Sequence, residues 1–419
     1  MDEKIFEVEI SGAGPKAYET STVLMMPCTQ AEYRDALQKA RIEDGRCCHN
    51  ELTRIGYPGI TPAIIGRDVD LLELNLLSIR LAMLSDEDRM GLDGLLRMEK
   101  EECASSIPLS RLINLTFNTD ICVLVPQVST FQELGTFLYE EDMLPEAAMA
   151  LLDTTEPESG YRERLLEVFG EQHMEEHGGV FTGRGYVERG GDFKEVYRQG
   201  EMFPFALAGG VVTLEVSRSF CSAPAYNGGK PVRLKFPALE ADIRKALDTV
   251  GAASAAECEF CCVDCEIPSL REAVDASINE GGIGQVNAFA QLIAQKERLW
   301  HEEDFIKYKA LLAAAGNPGI QDATQLAHVL DDYELLRDVA QSWDYAELVL
   351  REKYPNLPKE LFQTGQPAQI GQRMLEEDGS ALTEYGLIRR KDGAPLPSFR
   401  QEQNGQSQPT QGGVQMEMR

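Results

Sequence analysis

Histidine, tryptophan and positive charge are what this 419-residue chain has least of. It holds five His and two Trp, and 40 Lys/Arg stand against 69 Asp/Glu, for a formal net charge of −29. A surface that negative repels nucleic acid and anionic membranes and attracts basic protein clefts. Direct binding to DNA or RNA and to a membrane is therefore not expected. No apolar run is long enough to cross a bilayer. There is no glycine-rich phosphate loop, nucleophile elbow or dinucleotide fingerprint, and Ser, Cys and His fall in no catalytic order. The reading is accordingly of a protein that is not an enzyme, with no catalytic residue and no cofactor. The opening MDEKIFEVEI is charged and strand-like, unlike an export signal. Ten cysteines without such a signal fit free thiols in a reducing compartment, so a cytoplasmic protein is expected.

What is abundant is acid, and it is unevenly placed. Residues 68–176 carry 24 Asp/Glu and 7 Lys/Arg, so −17 of the −29 sits in about a quarter of the chain. The part between Leu71 and Asp142 reads as a run of amphipathic helices. LLELNLLSIRLAML puts Leu72, Leu76, Ile79 and Met83 on one helical face. Ser85 with Asp88, and Thr130 with Glu133, have the spacing of capping boxes at two helix starts. The second helix ends in Tyr139-Glu140-Glu141-Asp142, and Pro145 closes the stretch.

On either side the patterns are mixed. Residues 5–10 and 21–27 read as strands around a Gly/Pro turn, followed by a helix with Tyr33, Leu37 and Ala40 on its apolar side. Residues 147–174 are again helical, Gly178-Gly179 breaks into a hairpin over VFTGRGYVER, and 190–210 connect. The chain then starts over. VLMMPCTQAEYRDAL (23–37) matches RLKFPALEADIRKAL (233–247), pairing Pro27 with Pro237 and Arg34 with Arg244. FGEQHMEEHGGVFTGRGYV (169–187) matches IGQRMLEEDGSALTEYGLI (370–388) without a gap. A shared order over this length implies a tandem duplication of an α+β protein. Each half then has a small strand/helix unit (1–66 and 206–278), a helical bundle (67–145 and 279–357) and a terminal unit (146–205 and 358–400). A Gln/Gly/Pro-rich tail at 401–419 is expected to be disordered. The first 200 residues carry net −18 and the remainder −11, which makes the first half the main electrostatic surface.

Two motifs invite a metal. Cys258-Glu-Phe-Cys261-Cys262-Val-Asp-Cys265 interleaves two CxxC pairs. On a strand, however, Cys258 and Cys262 share one face while Cys261 and Cys265 share the other, so four thiolates would not converge. His173-Met-Glu-Glu176-His177 fits the pattern of inverted zinc peptidases. The second copy has Met374 and Asp378 at the two histidine positions, and the glycines that follow leave the motif at a helix end. Both are set aside, and no metal site is expected.

The carboxylates remain: Asp86, Glu87, Asp88, Asp93, Glu99, Glu101, Glu102, Glu133, Glu140, Glu141, Asp142 and Glu146. Spacings of three and four place several in rows along helix faces, where they can stand in for phosphates in a Lys/Arg cleft. The order of the pieces resembles the ArdA antirestriction family. The likeness lies in the Tyr57-Pro58 and Ile267-Pro268 breaks, the Glu73-Leu74-Asn75 helix, the acidic ELGTFLYEE helix (133–141) and the closing GGVFTGRGYV. It covers about 5–190 and, more weakly, 210–390. It implies an acidic α+β protein of mobile genetic elements, built here as two ArdA-like halves. Such a protein would mimic B-form DNA and occupy the DNA-binding cleft of a type I restriction–modification methyltransferase. The twelve carboxylates would be the partner-binding groups. ArdA proteins pair as homodimers, so a homodimer or an intramolecular pseudo-dimer is expected. The alternative is an acidic interaction protein that inhibits another basic DNA-binding partner, such as a Cas nuclease or a transcription regulator.

Overall fold

In the computed structural model, residues 3–12, 17–42, 49–102, 106–201, 209–219, 230–356, 358 and 366–399 are described. The expected disordered tail and Cys47-Cys48 lie outside them. The fold is mixed α+β and divides into two compact units, Met1–Ala208 and Gly209–Arg419.

The first unit opens with β1 (Phe6–Ser11), β2 (Thr22–Met26), α1 (Gln30–Lys39) and β3 (His49–Ile55). The strands form an antiparallel sheet in the order β2-β1-β3. Phe6, Val8 and Ile10 alternate inward along β1 and are buried. A short α2 (Pro62–Ile65) leads to α3 (Leu71–Ala82), α4 (Asp86–Glu102) and α5 (Leu109–Thr116). One continuous cluster of buried side chains runs from Ile5 through Leu115 and takes in Val180, Val187 and Tyr197.

Two expectations for this region need correction. The apolar face of α3 is not Leu72, Leu76, Ile79 and Met83, since Leu72 is 49% and Met83 67% exposed. The buried stripe is Leu71, Leu74, Leu77 and Leu81, with Leu76 also inside. A leucine-rich helix offers two stripes at helical spacing, and a distant polar tie selects between them. The buried Asn75 amide accepts from the Cys28 N–H (2.8 Å) and donates to the Cys28 carbonyl (3.1 Å). The second correction is that the stretch to Asp142 is not wholly helical. Cys122–Pro126 is β4, a five-residue apolar run with two β-branched valines, and it pairs with β6 (Gly185–Arg189).

Next come α6 (Phe131–Glu140), α7 (Glu146–Asp153), α8 (Gly160–His177) and β5 (Val180–Phe181). The VFTGRGYVER hairpin is present as β5–β6, completing a sheet in the order β4-β6-β5. Both expected capping boxes form, at Ser85/Asp88 and Thr130/Glu133. The connector after β6 is strapped down by side chains. Asn114 Oδ1 accepts from the N–H groups of Val196 and Tyr197, and Asn118 Oδ1 from that of Lys194, so the connector's backbone keeps its hydrogen bonds where it passes over the core at Tyr197.

The second unit contains β7 (Val212–Arg218), β8 (Val232–Phe236), α9 (Glu240–Val250), β9 (Cys258–Cys265) and α10 (Arg271–Gly281). These are followed by α11 (Ile283–Glu297), α12 (Glu302–Ala314), α13 (Ile320–His328) and β10 (Tyr333–Leu336). It closes with α14 (Ser342–Lys353), α15 (Gln366–Glu377), β11 (Ala381–Thr383) and β12 (Gly386–Arg390). Its sheets, β8-β7-β9 and β10-β12-β11, have the connectivity of the first pair. Details recur too. Asn287 bridges the Ala238 N–H and carbonyl as Asn75 bridges those of Cys28. Thr383 donates to the Gly386 carbonyl at 2.8 Å, as Thr182 does to that of Gly185. The peptide bonds Met26–Pro27 and Phe236–Pro237 are both cis. Among the described residues, no helix is long and apolar enough to cross a membrane.

Candidate functional site

The acidic side chains of the first unit fall into two populations. Asp86, at the start of α4, is almost wholly exposed and lies 3.6 Å from Arg184. Glu87 beside it is exposed. So are Glu133 and Glu140 on α6, Glu141 and Asp142 just beyond it, and Glu146 opening α7. Glu133 also accepts from the Ser129 backbone N–H (2.7 Å) and hydroxyl, which, with the Thr130 N–H, hold its carboxyl below the usual range.

Three further predicted carboxylates are occupied internally. Asp88 accepts from the Ser85 hydroxyl (2.7 Å), from the Ser85 N–H and from the Thr119 hydroxyl (2.7 Å). Those bonds, Ser85 first, hold its carboxyl below the ordinary value. Glu99 is buried on the inner face of α4 and binds both Arg111 and Arg189, the latter at 3.3 Å. Asp93 is half-buried and accepts from the Tyr57 hydroxyl at 3.2 Å. These three fasten α4 to its neighbours, so the expected display of carboxylates is smaller there than composition implied. Glu101 and Glu102 end α4, and their side chains lie outside the described residues.

Asp93 and Asp88 differ in sign, and pH separates them. Burial raises the Asp93 carboxyl above its ordinary value, against the pull of the Tyr57 bond and nearby arginines. The folded state then holds that proton more tightly than the unfolded chain. The contribution is present below the unfolded pKa and is lost as pH rises through the folded one. Asp93→Asn is thus expected to raise the thermal midpoint at about pH 7, with the gain vanishing in acid. For Asp88 the stability is present above the unfolded pKa and is lost as pH falls, so Asp88→Asn should lower the midpoint near neutrality. Thermal scans of both variants across pH check the pair of signs. A lower midpoint for Asp93→Asn at neutral pH would refute the assignment.

The most regular acidic feature was not in the predicted set. Glu163, Glu167, Glu171 and Glu175 follow one another at four-residue spacing along α8, and all four are exposed. Four residues of helix rise about 6 Å, so they form a ridge of carboxylates. The four-residue spacing is visible in the sequence, but it lies beyond Glu146, outside the helical stretch between Leu71 and Asp142. Helix α8 lies antiparallel to α6 in close contact. A β-carbon built on Gly135 would fall 1.9 Å from the Leu166 carbonyl oxygen, and one on Gly170 2.0 Å from that of Phe131. Further along, the Arg162 guanidinium stacks 4.7 Å over the Tyr139 ring. Aligned positions in the second unit include Ala368 and Gln372, so the ridge does not recur.

The cysteine strand differs from expectation in register. A bulge in the β7–β9 ladder pairs Leu214 with Cys262 and Val212 with Cys265, so these two thiols share the inward face. Both are buried, and burial pushes the Cys265 thiol up to about 12. Cys261 pairs opposite Glu215 and is exposed. The four sulfurs therefore do not converge, although for a different reason than strict alternation. Among the described residues the metal-capable group that does converge is His173, His177 and Glu188. The end of α8 is closed rather than frayed, because Gly178 adopts a left-handed conformation (φ 67°) and donates to the Met174 carbonyl. No protein-family model, curated protein or solved structure matches this chain.

Proposed function

We propose that this chain is an acidic decoy for a basic DNA-binding cleft and not an enzyme. The observation that carries the reading is the exposed ridge Glu163, Glu167, Glu171 and Glu175, held against α6 with its own exposed Glu133 and Glu140. One strand of duplex DNA presents a phosphate about every 3.4 Å along the axis. A single helix ridge supplies roughly half that density. Two packed acidic helices come closer, and do so on a rigid support. In this reading the chain is an ArdA-like antirestriction protein of two ArdA-like halves related by tandem duplication. Its first unit carries the decoy surface, and its target is the DNA-binding cleft of a type I restriction–modification methyltransferase. The second unit, which lacks the ridge, would take the place of a dimer partner.

The test is displacement of duplex DNA from a purified type I methyltransferase by the full chain. Displacement is expected at low salt, and it should weaken steeply as salt rises. Screening shortens electrostatic reach from about 10 Å at 0.1 M to about 3 Å at 1 M. Absence of displacement at low salt would overturn this target. Displacement from a Cas nuclease alone would keep the decoy mechanism and move it to the other partner.

A further inference from the structure

We propose that His173, His177 and Glu188 form a binding site for one divalent transition-metal ion, with zinc the best match to the donors. The two histidines sit four residues apart on the last turns of α8, on one face. Glu188 approaches from β6, across the hairpin that returns from that helix. His173 Nε2 is 2.9 Å from Glu188 Oε2, and one ligand atom from each of the three residues lies within 4.8 Å of the others. Ligands of tetrahedral zinc, at about 2.0–2.1 Å from the metal, lie roughly 3.4 Å apart. The imidazoles of His173 and His177 are stacked, with centroids 4.1 Å apart, so closing the set needs side-chain adjustment, to which the exposed His177 is open.

The groups around the triad have the character of a built site. The Tyr186 hydroxyl donates to Glu188 Oε2 at 2.8 Å and orients the carboxylate, as outer partners of metal ligands do. His177 Nδ1 lies 3.0 Å from the His173 carbonyl oxygen. With Nδ1 donating there, Nε2 carries the lone pair that a metal takes. Residue 179 has to be glycine for this approach, since a β-carbon there would meet the Tyr186 hydroxyl at 2.1 Å. The ion would replace the proton between His173 Nε2 and Glu188, and the imidazole would keep its proton on Nδ1. Two imidazoles and a carboxylate suit zinc and leave a fourth position for water. The ion would pin the C-terminal end of the carboxylate ridge to the sheet.

The second unit is an internal control. Met374, Asp378 and Arg389 occupy the three positions. There Asp378 accepts from the Tyr345 hydroxyl at 2.6 Å, and Arg389 pairs with Glu334 at 2.8 Å. Those positions, among the described residues, hold no equivalent donor set.

The experiment uses untagged full-length protein stripped with chelator, titrated with zinc by calorimetry and with cobalt(II) as an optical probe. One equivalent should bind, with a cobalt spectrum of nitrogen and oxygen donors. Affinity should fall at least about tenfold in both His177→Gln and Glu188→Gln. Zinc should raise the thermal midpoint of the parent by more than that of either variant at the same concentration. His177→Gln alters an exposed side chain, so it decides the matter even if Glu188→Gln fails to fold. No saturable uptake by the parent would overturn the proposal, as would uptake unchanged in His177→Gln. A cobalt spectrum dominated by thiolate charge transfer would overturn it as well, by assigning the ion to cysteines.

Discussion

Alanine at Gly170 is expected to destabilise the first unit by about 3 kcal/mol, while alanine at Gly160, on the same helix, should be neutral or slightly stabilising. The substitution is the same, and the surroundings decide its sign. A β-carbon on Gly160 meets nothing within 4 Å, whereas one on Gly170 meets the Phe131 carbonyl oxygen at 2.0 Å. That oxygen belongs to backbone, so no side-chain rotation relieves the clash and α6 and α8 must move apart. Separation opens the small core of Val125, Val128, Leu134, Leu138 and Tyr186 that the two helices cover. Overpacking of this kind costs about 1–3 kcal/mol, and the lost contacts of the leucines add to it. The helix-propensity gain of alanine over glycine, about 1 kcal/mol in a helix interior, offsets part; at Gly160, the first residue of α8, only a fraction of that gain remains. Gly371 stands in the same relation to the Ser342 carbonyl oxygen, at 1.8 Å, so the second unit should respond likewise. Hydrogen exchange of α6 and α8 amides is the measurement that isolates the effect in a two-unit chain. Equal protection in the Gly170→Ala variant and the parent would refute the account.

Features set by neighbours in sequence were legible, and those set by distant partners were not. The capping boxes at Ser85/Asp88 and Thr130/Glu133 span three residues each, and both form. The VFTGRGYVER hairpin is equally local and is present as β5–β6. The buried face of α3 was not legible, because Asn75 finds its partner 47 residues away at Cys28. Strand β4 is not legible in the sequence because five apolar residues between helices carry no periodicity of their own. The same limit governed the acids. Asp88, Asp93 and Glu99 look no different in sequence from Glu87, yet Thr119, Tyr57 and Arg189 come from elsewhere in the chain to engage them. His173 and His177 are readable as a pair, but Glu188 joins them only because the chain turns back at Gly178-Gly179.

If the chain acts as the proposed decoy, changing Glu163, Glu167, Glu171 and Glu175 together to Lys is expected to weaken inhibition of a type I methyltransferase more than about 100-fold. Each exposed pairing contributes roughly 0.2–1 kcal/mol, and reversal converts attraction into repulsion, so four sites sum to about 3 kcal/mol or more. Lysine is as good a helix former as glutamate, and the four side chains are exposed, so α8 should persist. Loss of net negative charge alone could weaken a long-range attraction, and a matched variant separates the two effects. Asp248, Glu297, Glu352 and Glu376 are exposed in the second unit, and their reversal changes net charge equally. That control should lose only a few-fold, mostly in association rate, because charges off the ridge steer without pairing. Salt adds a second axis. If the ridge pairs with cleft Lys/Arg, the α8 variant should show a flatter dependence of inhibition on ionic strength than the parent, and the control should keep the parent's slope. Equal losses in the two variants would reduce the mechanism to net charge, and an unimpaired α8 variant would remove the ridge from it.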